Sequence, residues 1–158
     1  MLTALVLSIG ETGLAAFMRQ STFAYPLVSS LHIVGLGLLI GCILSLDLRL
    51  LGLFQRVSIH SLAPFLSRLA GLGLCVAILT GVILFSVQPG HYLQNDAFLF
   101  KMALIGAGLL NVIVVHQLTA WRMILSGNEP SHVIKITALL SLIFWLAVVF
   151  AGRWIAFV

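Results

Sequence analysis

The stretch Ser29 to Leu53, SSLHIVGLGLLIGCILSLDLRLLGL, runs for 25 residues with almost no side chain that water would hold. Roughly 20 consecutive apolar residues cross the hydrocarbon core of a bilayer as a helix, so the stretch reads as a membrane span. Its interruptions are the informative part. A histidine stands at position 32 near its start, and the pair Asp47 and Arg49 stands near its end.

The rest of the chain repeats the pattern. Hydrophobic residues fill 61% of 158 positions and charged residues 8%, and the mean hydropathy of +1.21 lies well outside the range of a soluble domain. Four long apolar segments occupy about 23–53, 62–87, 98–123 and 133–157. Residues 1–158 are therefore expected to form a single transmembrane domain. The breaks FQRVSIHS, QPGHYLQND and SGNEPSH carry turn chemistry, and connections this short make consecutive helices antiparallel neighbours. The expected fold is all-α, an integral membrane four-helix up-down bundle.

Ahead of the first span, Ser8 and Glu11 have the spacing of a capping box, and Leu14, Ala15, Phe17 and Met18 are expected on one face of a short N-terminal surface helix. The opening MLTALVLSIG has no positive leader and no cleavage motif, so a cleaved signal peptide is not expected. Eight Lys and Arg face four Asp and Glu, a net charge of +4, and the basic residues sit singly at the borders of apolar runs. That placement anchors helices in a lipid bilayer and excludes a nucleic-acid partner. Arg49, Arg56, Arg68, Arg122 and Lys135 flank the first and third connections, whereas Arg19, Lys101 and Arg153 lie on the other side. By the positive-inside rule both termini face outward, into the periplasm if the membrane is a bacterial inner membrane. Cys42 and Cys75 lie in apolar runs with no CxxC, so no zinc site is expected.

An ionisable side chain facing lipid costs about 2.5 to 3.5 kcal/mol, so such residues turn inward and find partners. The candidates within spans are His32, Asp47, Arg49, Arg68, Asn111 and His116. At about 100° per residue Asp47 lies only about 60° around the helix from His32, with Gly37, Gly41 and Ser45 on the opposite side. That small-residue stripe is expected to pack against another helix of the chain or against a second subunit. Asp47 and Arg68 are equidistant from the middle of the first connection, which predicts a structural ion pair between them.

His32 and His116 are the histidines that need explaining, because His60, His91 and His132 fall in connections. Neutral imidazole in an apolar helix ligates haem iron well, so the leading expectation is one or two b-type haems. His32 and His116 would be axial ligands, with Lys101 and Arg153 paired to the propionates. Taking Arg49 and Arg122 as level, the two histidines differ in depth by about 16 Å, too far for one iron. The alternative without a cofactor is that they hydrogen-bond neighbouring helices through Asn111, Thr80 or Ser30.

The run LHIVGLGLLIGCILSLDLRLLG, an Arg in the next span, TGVILF, FLFK and the N-x4-H of Asn111 to His116 together resemble a family of uncharacterised bacterial four-helix membrane proteins. The resemblance covers most of the chain, and DLRLLG is its most specific part. The LH-apolar-G setting of His32 is also similar to the HemJ-like and CopD-like membrane families, which implies haem binding or copper passage. The expected function is an electron-transfer subunit, a component of a cofactor-dependent membrane oxidoreductase with a quinone or redox protein as partner. Proton or copper transport, and a structural or assembly subunit, are the alternatives. No nucleophile and base, phosphate loop or hydrolytic carboxylate pair is present to support a soluble type of enzyme.

Overall fold

The computed structural model describes residues 8–155 and 157. Among them are seven α-helices and no strand. They are α1 (Gly13–Gln20), α2 (Ala24–Leu50), α3 (Ile59–Val87), α4 (Pro89–Leu93), α5 (Asp96–Gln117), α6 (Thr119–Leu125) and α7 (His132–Trp154). Helices α2, α3, α5 and α7 are each long and apolar enough to cross a membrane, with mean hydropathies of 2.2 to 2.5. The expected four-span all-α fold is what the chain adopts.

The short first helix is built differently from its expectation. Thr12 is its N-cap and accepts from the Ala15 N–H, so the turn from Ser8 to Glu11 precedes the helix rather than capping it. Ala15 and Met18 are buried while Leu14 and Phe17 are exposed, so the four apolar residues split between two faces. Arg19 ties the helix to the end of α3, donating to the Val87 carbonyl at 3.0 Å and to the Gly10 carbonyl at 2.9 Å.

Close backbone packing is heaviest between α2 and α3, next between α5 and α7, lighter between α2 and α7, and almost lacking between α3 and α5. Glycine explains the tightest seam. A Cβ on Gly73 would lie 2.6 Å from the Leu39 nitrogen and 2.8 Å from the Gly35 carbonyl oxygen, so only glycine lets the two backbones meet. The seam therefore uses Gly35 and Gly73, not the predicted stripe. Gly37 and Gly41 are exposed with open space beside them, and the Ser45 hydroxyl donates back to the Gly41 carbonyl.

The third apolar segment also departs from its expectation of one continuous span. The helix stops at Gln117, Leu118 is extended, and α6 restarts at Thr119. The break carries Trp121 and Ile124 into a core with Leu50, Ile59, Ala63, Ile134 and Ala138. Burial of a large aromatic ring compensates the lost ladder bonds. Turn bonds from the Leu118 and Trp121 amides to the Val115 and Leu118 carbonyls close the gap.

Candidate functional site

A cavity of about 190 Å³ lies among the four spans and α6. It takes residues from one stripe of each helix. Leu66, Ser67, Ala70, Gly71 and Leu74 face it from α3, and Thr137, Ala138, Ser141 and Trp145 from α7, at the three- and four-residue spacing of one helical face. Asp47 of α2 and Asn111 and His116 of α5 complete the polar lining.

The polar groups here are unevenly satisfied. Asp47 is 6% exposed and Trp145 2%. Ser141 lines the cavity together with Asp47, but the Asp47 Oδ2, the Ser67 hydroxyl and the Trp145 indole N–H are buried without a hydrogen-bond partner. Each such group costs about 1 to 3 kcal/mol, and a charged one more. All three belong to residues that line this one void. At about 30 Å³ each, the space is large enough for roughly six waters. The Asn111 amide donates to the Thr137 carbonyl at 3.0 Å and fixes α5 against α7. Gly108 makes room for the Trp145 ring, since a Cβ there would lie 3.4 Å from the indole.

Arg68 is not at this site. Ser67 faces the cavity, and the further turn of about 100° per residue carries Arg68 to the exposed face of α3. The expected Asp47 to Arg68 ion pair is thereby corrected: equal depth held for the helices, but azimuth separates the side chains, and Asp47 lines the cavity with Ser141 instead. Arg49 is buried and donates from Nε to the Val57 carbonyl at 2.9 Å, closing the first connection rather than reaching the membrane surface.

His116 sits at the edge of the cavity, exposed, with its ring 4.9 Å from that of Trp121. Its Nδ1–H donates to the Val112 carbonyl at 2.8 Å, which leaves Nε2 with its lone pair. His32 belongs to a second polar centre about 22 Å further along α2, at fifteen residues of helical rise. Its Nδ1 lies 2.9 Å from the Thr80 hydroxyl oxygen. The Thr80 hydroxyl donates to the Val76 carbonyl at 2.6 Å, so the imidazole must be the donor in that pair and Nε2 again keeps its lone pair. The ring lies against Gly81, where a Cβ would come within 3.2 Å. Thr80 thus fills the role foreseen for it in the cofactor-free reading.

Lys101 reaches this second centre from α5. Its Nζ lies beside Gly152 of α7, 3.4 Å from a Cβ built there; Gly152 stands seven residues past Trp145 and His32 seven before Leu39, which share one core cluster of these antiparallel helices, so Lys101 Nζ and His32 lie at one depth. Arg153 does not join it. One residue beyond Gly152 it is exposed and lies 5.1 Å over the Phe157 ring. Between the two centres Leu39, Ile43 and Trp145 pack with Ile40, Ala70, Leu74 and Leu109 into an apolar plug.

The remaining histidines sit apart. His60 pairs with the Leu125 carbonyl, His132 opens α7, and His91 lines a wide groove of about 1000 Å³ with Asp96, Phe100, Phe150 and Trp154. Outside the spans, burial and the neighbouring Tyr25 push the Tyr92 hydroxyl above the usual phenol range. Cys42, Asp47 and His116 all line the central cavity, but among the described residues no three His, Cys, Asp or Glu side chains converge as a metal-ligand set.

Sequence reasoning singled out Asp47, Asn111 and His116 but missed Ser67, Ser141 and Trp145. Their signal was small polar or amphipathic residues inside spans, legible only once the helix faces are known. The chain belongs to a family of unknown function (DUF6644), which matches residues 9–158. No curated protein and no solved structure matches it.

Proposed function

From a family with no assigned activity, we propose that this membrane protein conducts protons, with Asp47 as the group that takes and releases them. The observation that carries the reading is the cavity in which the Asp47 Oδ2, the Ser67 hydroxyl and the Trp145 N–H are buried unpartnered. Buried polar groups around a space of that size hold water, and a carboxyl in contact with water at membrane depth exchanges protons with it. His116, at the cavity edge with a free Nε2, supplies the link to the aqueous side. On the charge asymmetry that side is the cytoplasm of a bacterial inner membrane. The apolar plug of Leu39, Ile43 and Trp145 separates the cavity from the far side, so net transfer requires the helices on the loosely packed α3 to α5 side to move. A proton suits the site better than a metal ion, because Cys42, Asp47 and His116 do not converge on one point.

The test is proton flux into sealed vesicles containing the purified protein and a pH-sensitive dye, with potassium and valinomycin clamping the potential. Wild type collapses an imposed pH gradient, and Asp47→Asn slows it at least about tenfold, the factor that 1.4 kcal/mol of barrier gives. Equal rates for wild type, Asp47→Asn and empty vesicles would defeat the reading.

Haem-based electron transfer is the second reading. It is favoured by the His32 imidazole, whose Nδ1 is held by Thr80 as the outer nitrogen of an iron-bound histidine is commonly held. The packing does not fit the macrocycle. The α2 and α3 backbones meet at Gly35 and Gly73, the ring of His32 lies on Gly81, and the central cavity is smaller than the roughly 300 to 1,000 Å³ of sites that enclose organic ligands. A Soret band in protein expressed with ample haem, lost in His32→Ala, would put this reading ahead.

A further inference from the structure

We propose that Lys101 and His32 form a binding site for a phosphate group that carries or adjoins a hydroxyl, in the half of the bundle opposite Asp47. The argument starts from a cation without a counter-charge. Lys101 is half-buried within α5, its Nζ turned between the helices beside Gly152, and among the described residues it makes no hydrogen bond or ion pair. A cation at this depth demands an anion.

The chain has four acidic residues to offer. Glu11 is exposed ahead of α1, and Glu129 is exposed in the connection before α7, at the other end of the bundle. Asp47 is about 22 Å along α2 from His32. Asp96 is on the same helix five residues earlier, about 140° around the axis, and lines the wide groove instead. Among the described residues none answers Lys101, and the proposed site takes its anion from outside them.

The surroundings specify what kind. Gly152 leaves room for the ammonium, which supplies the charged donor for a phosphate oxygen. His32 supplies an acceptor: with Nδ1–H committed to Thr80, its Nε2 takes a hydrogen bond from a hydroxyl on or next to the phosphate. The loosely packed side between α3 and α5 gives lateral access from the bilayer. Both inorganic phosphate and the headgroup of phosphatidylglycerol present this chemistry.

The full chain, stripped of lipid in a neutral detergent, is titrated with phosphatidylglycerol and with phosphatidylcholine and read by native mass spectrometry. Inorganic phosphate is tested separately by phosphorus NMR line broadening. The wild type is expected to hold phosphatidylglycerol about tenfold more tightly than phosphatidylcholine, which has the phosphate but no hydroxyl for His32. Lys101→Gln weakens binding of both lipids, His32→Gln removes the preference between them, and the exposed Arg153→Gln changes neither. Phosphate broadening without lipid preference, lost in Lys101→Gln, assigns the site to the free anion. No preference and no broadening in wild type, or equal binding by wild type and both Lys101→Gln and His32→Gln, overturns the proposal. If Lys101→Gln fails to fold, wild type against His32→Gln decides.

Discussion

The cavity around Asp47 and the cluster around His32 hang from the same helix, fifteen residues apart, and are built in opposite ways. Around His32 the protein fixes the ring itself: Thr80 accepts from the imidazole Nδ1–H and donates its own hydroxyl hydrogen to the Val76 carbonyl, so that only Nε2 and the Lys101 ammonium stay open. Around Asp47 it leaves a carboxylate oxygen, a hydroxyl and an indole N–H without partners. A fold that can satisfy a histidine through one threonine could have satisfied these too. Polar groups left open around a water-sized space are therefore where chemistry with something mobile is to be sought, and polar groups closed on one another are where positioning is to be sought.

Substitutions separate the two regions, and the largest effect falls on the seam that supports both. Gly73→Val forces a side chain to within 2.6 Å of the Leu39 backbone, so α2 and α3 part and folded monomer is lost, by about 3 kcal/mol or more, read as a collapse of the melting temperature in detergent. Next is Asp47→Asn, which keeps the fold yet slows proton flux at least about tenfold; full flux in that variant would erase the functional half of the contrast.

Smaller effects sharpen it. Thr80→Val removes the acceptor that holds His32, and a lost interhelical hydrogen bond in a bilayer costs about 0.6 to 1.7 kcal/mol in chemical or thermal unfolding. Ser67→Ala deletes a hydroxyl that has no protein partner and removes almost no volume, so it changes stability by less than about 0.5 kcal/mol or raises it. A cost from Ser67→Ala as large as that from Thr80→Val would mean that hydroxyl is bonded within the protein, and the contrast would fail. Least of all, Gly37→Val on the exposed stripe is expected to leave the melting temperature of the monomer unchanged.

Much of the fold was legible because the bilayer imposes a simple rule: every span must be long, apolar and internally hydrogen-bonded. Phe98 to Gln117 obeys that rule, but the continuation to Met123 did not hold. No Pro or Gly marks the break at Leu118; the burial of Trp121 and Ile124 against three other helices does. For the sites, depth was readable and direction was not. Rise per residue correctly placed His32 and His116 at different levels, while the Asp47 to Arg68 pair failed because a match in depth says nothing about which way each side chain turns.

By itself the sequence determined the number of spans, their antiparallel order and the scarcity of ionisable groups among them, because these follow from hydropathy, length and turn residues along one dimension. Only the tertiary structure decided that Gly35 and Gly73, rather than Gly37 and Gly41, make the tight seam, that Ser67 rather than Arg68 shares a cavity with Asp47, and that Lys101 turns inward while Arg153 does not. Each of those is a choice of helix azimuth. Azimuth is set by the interlocking of all four helices at once, and no local pattern encodes it.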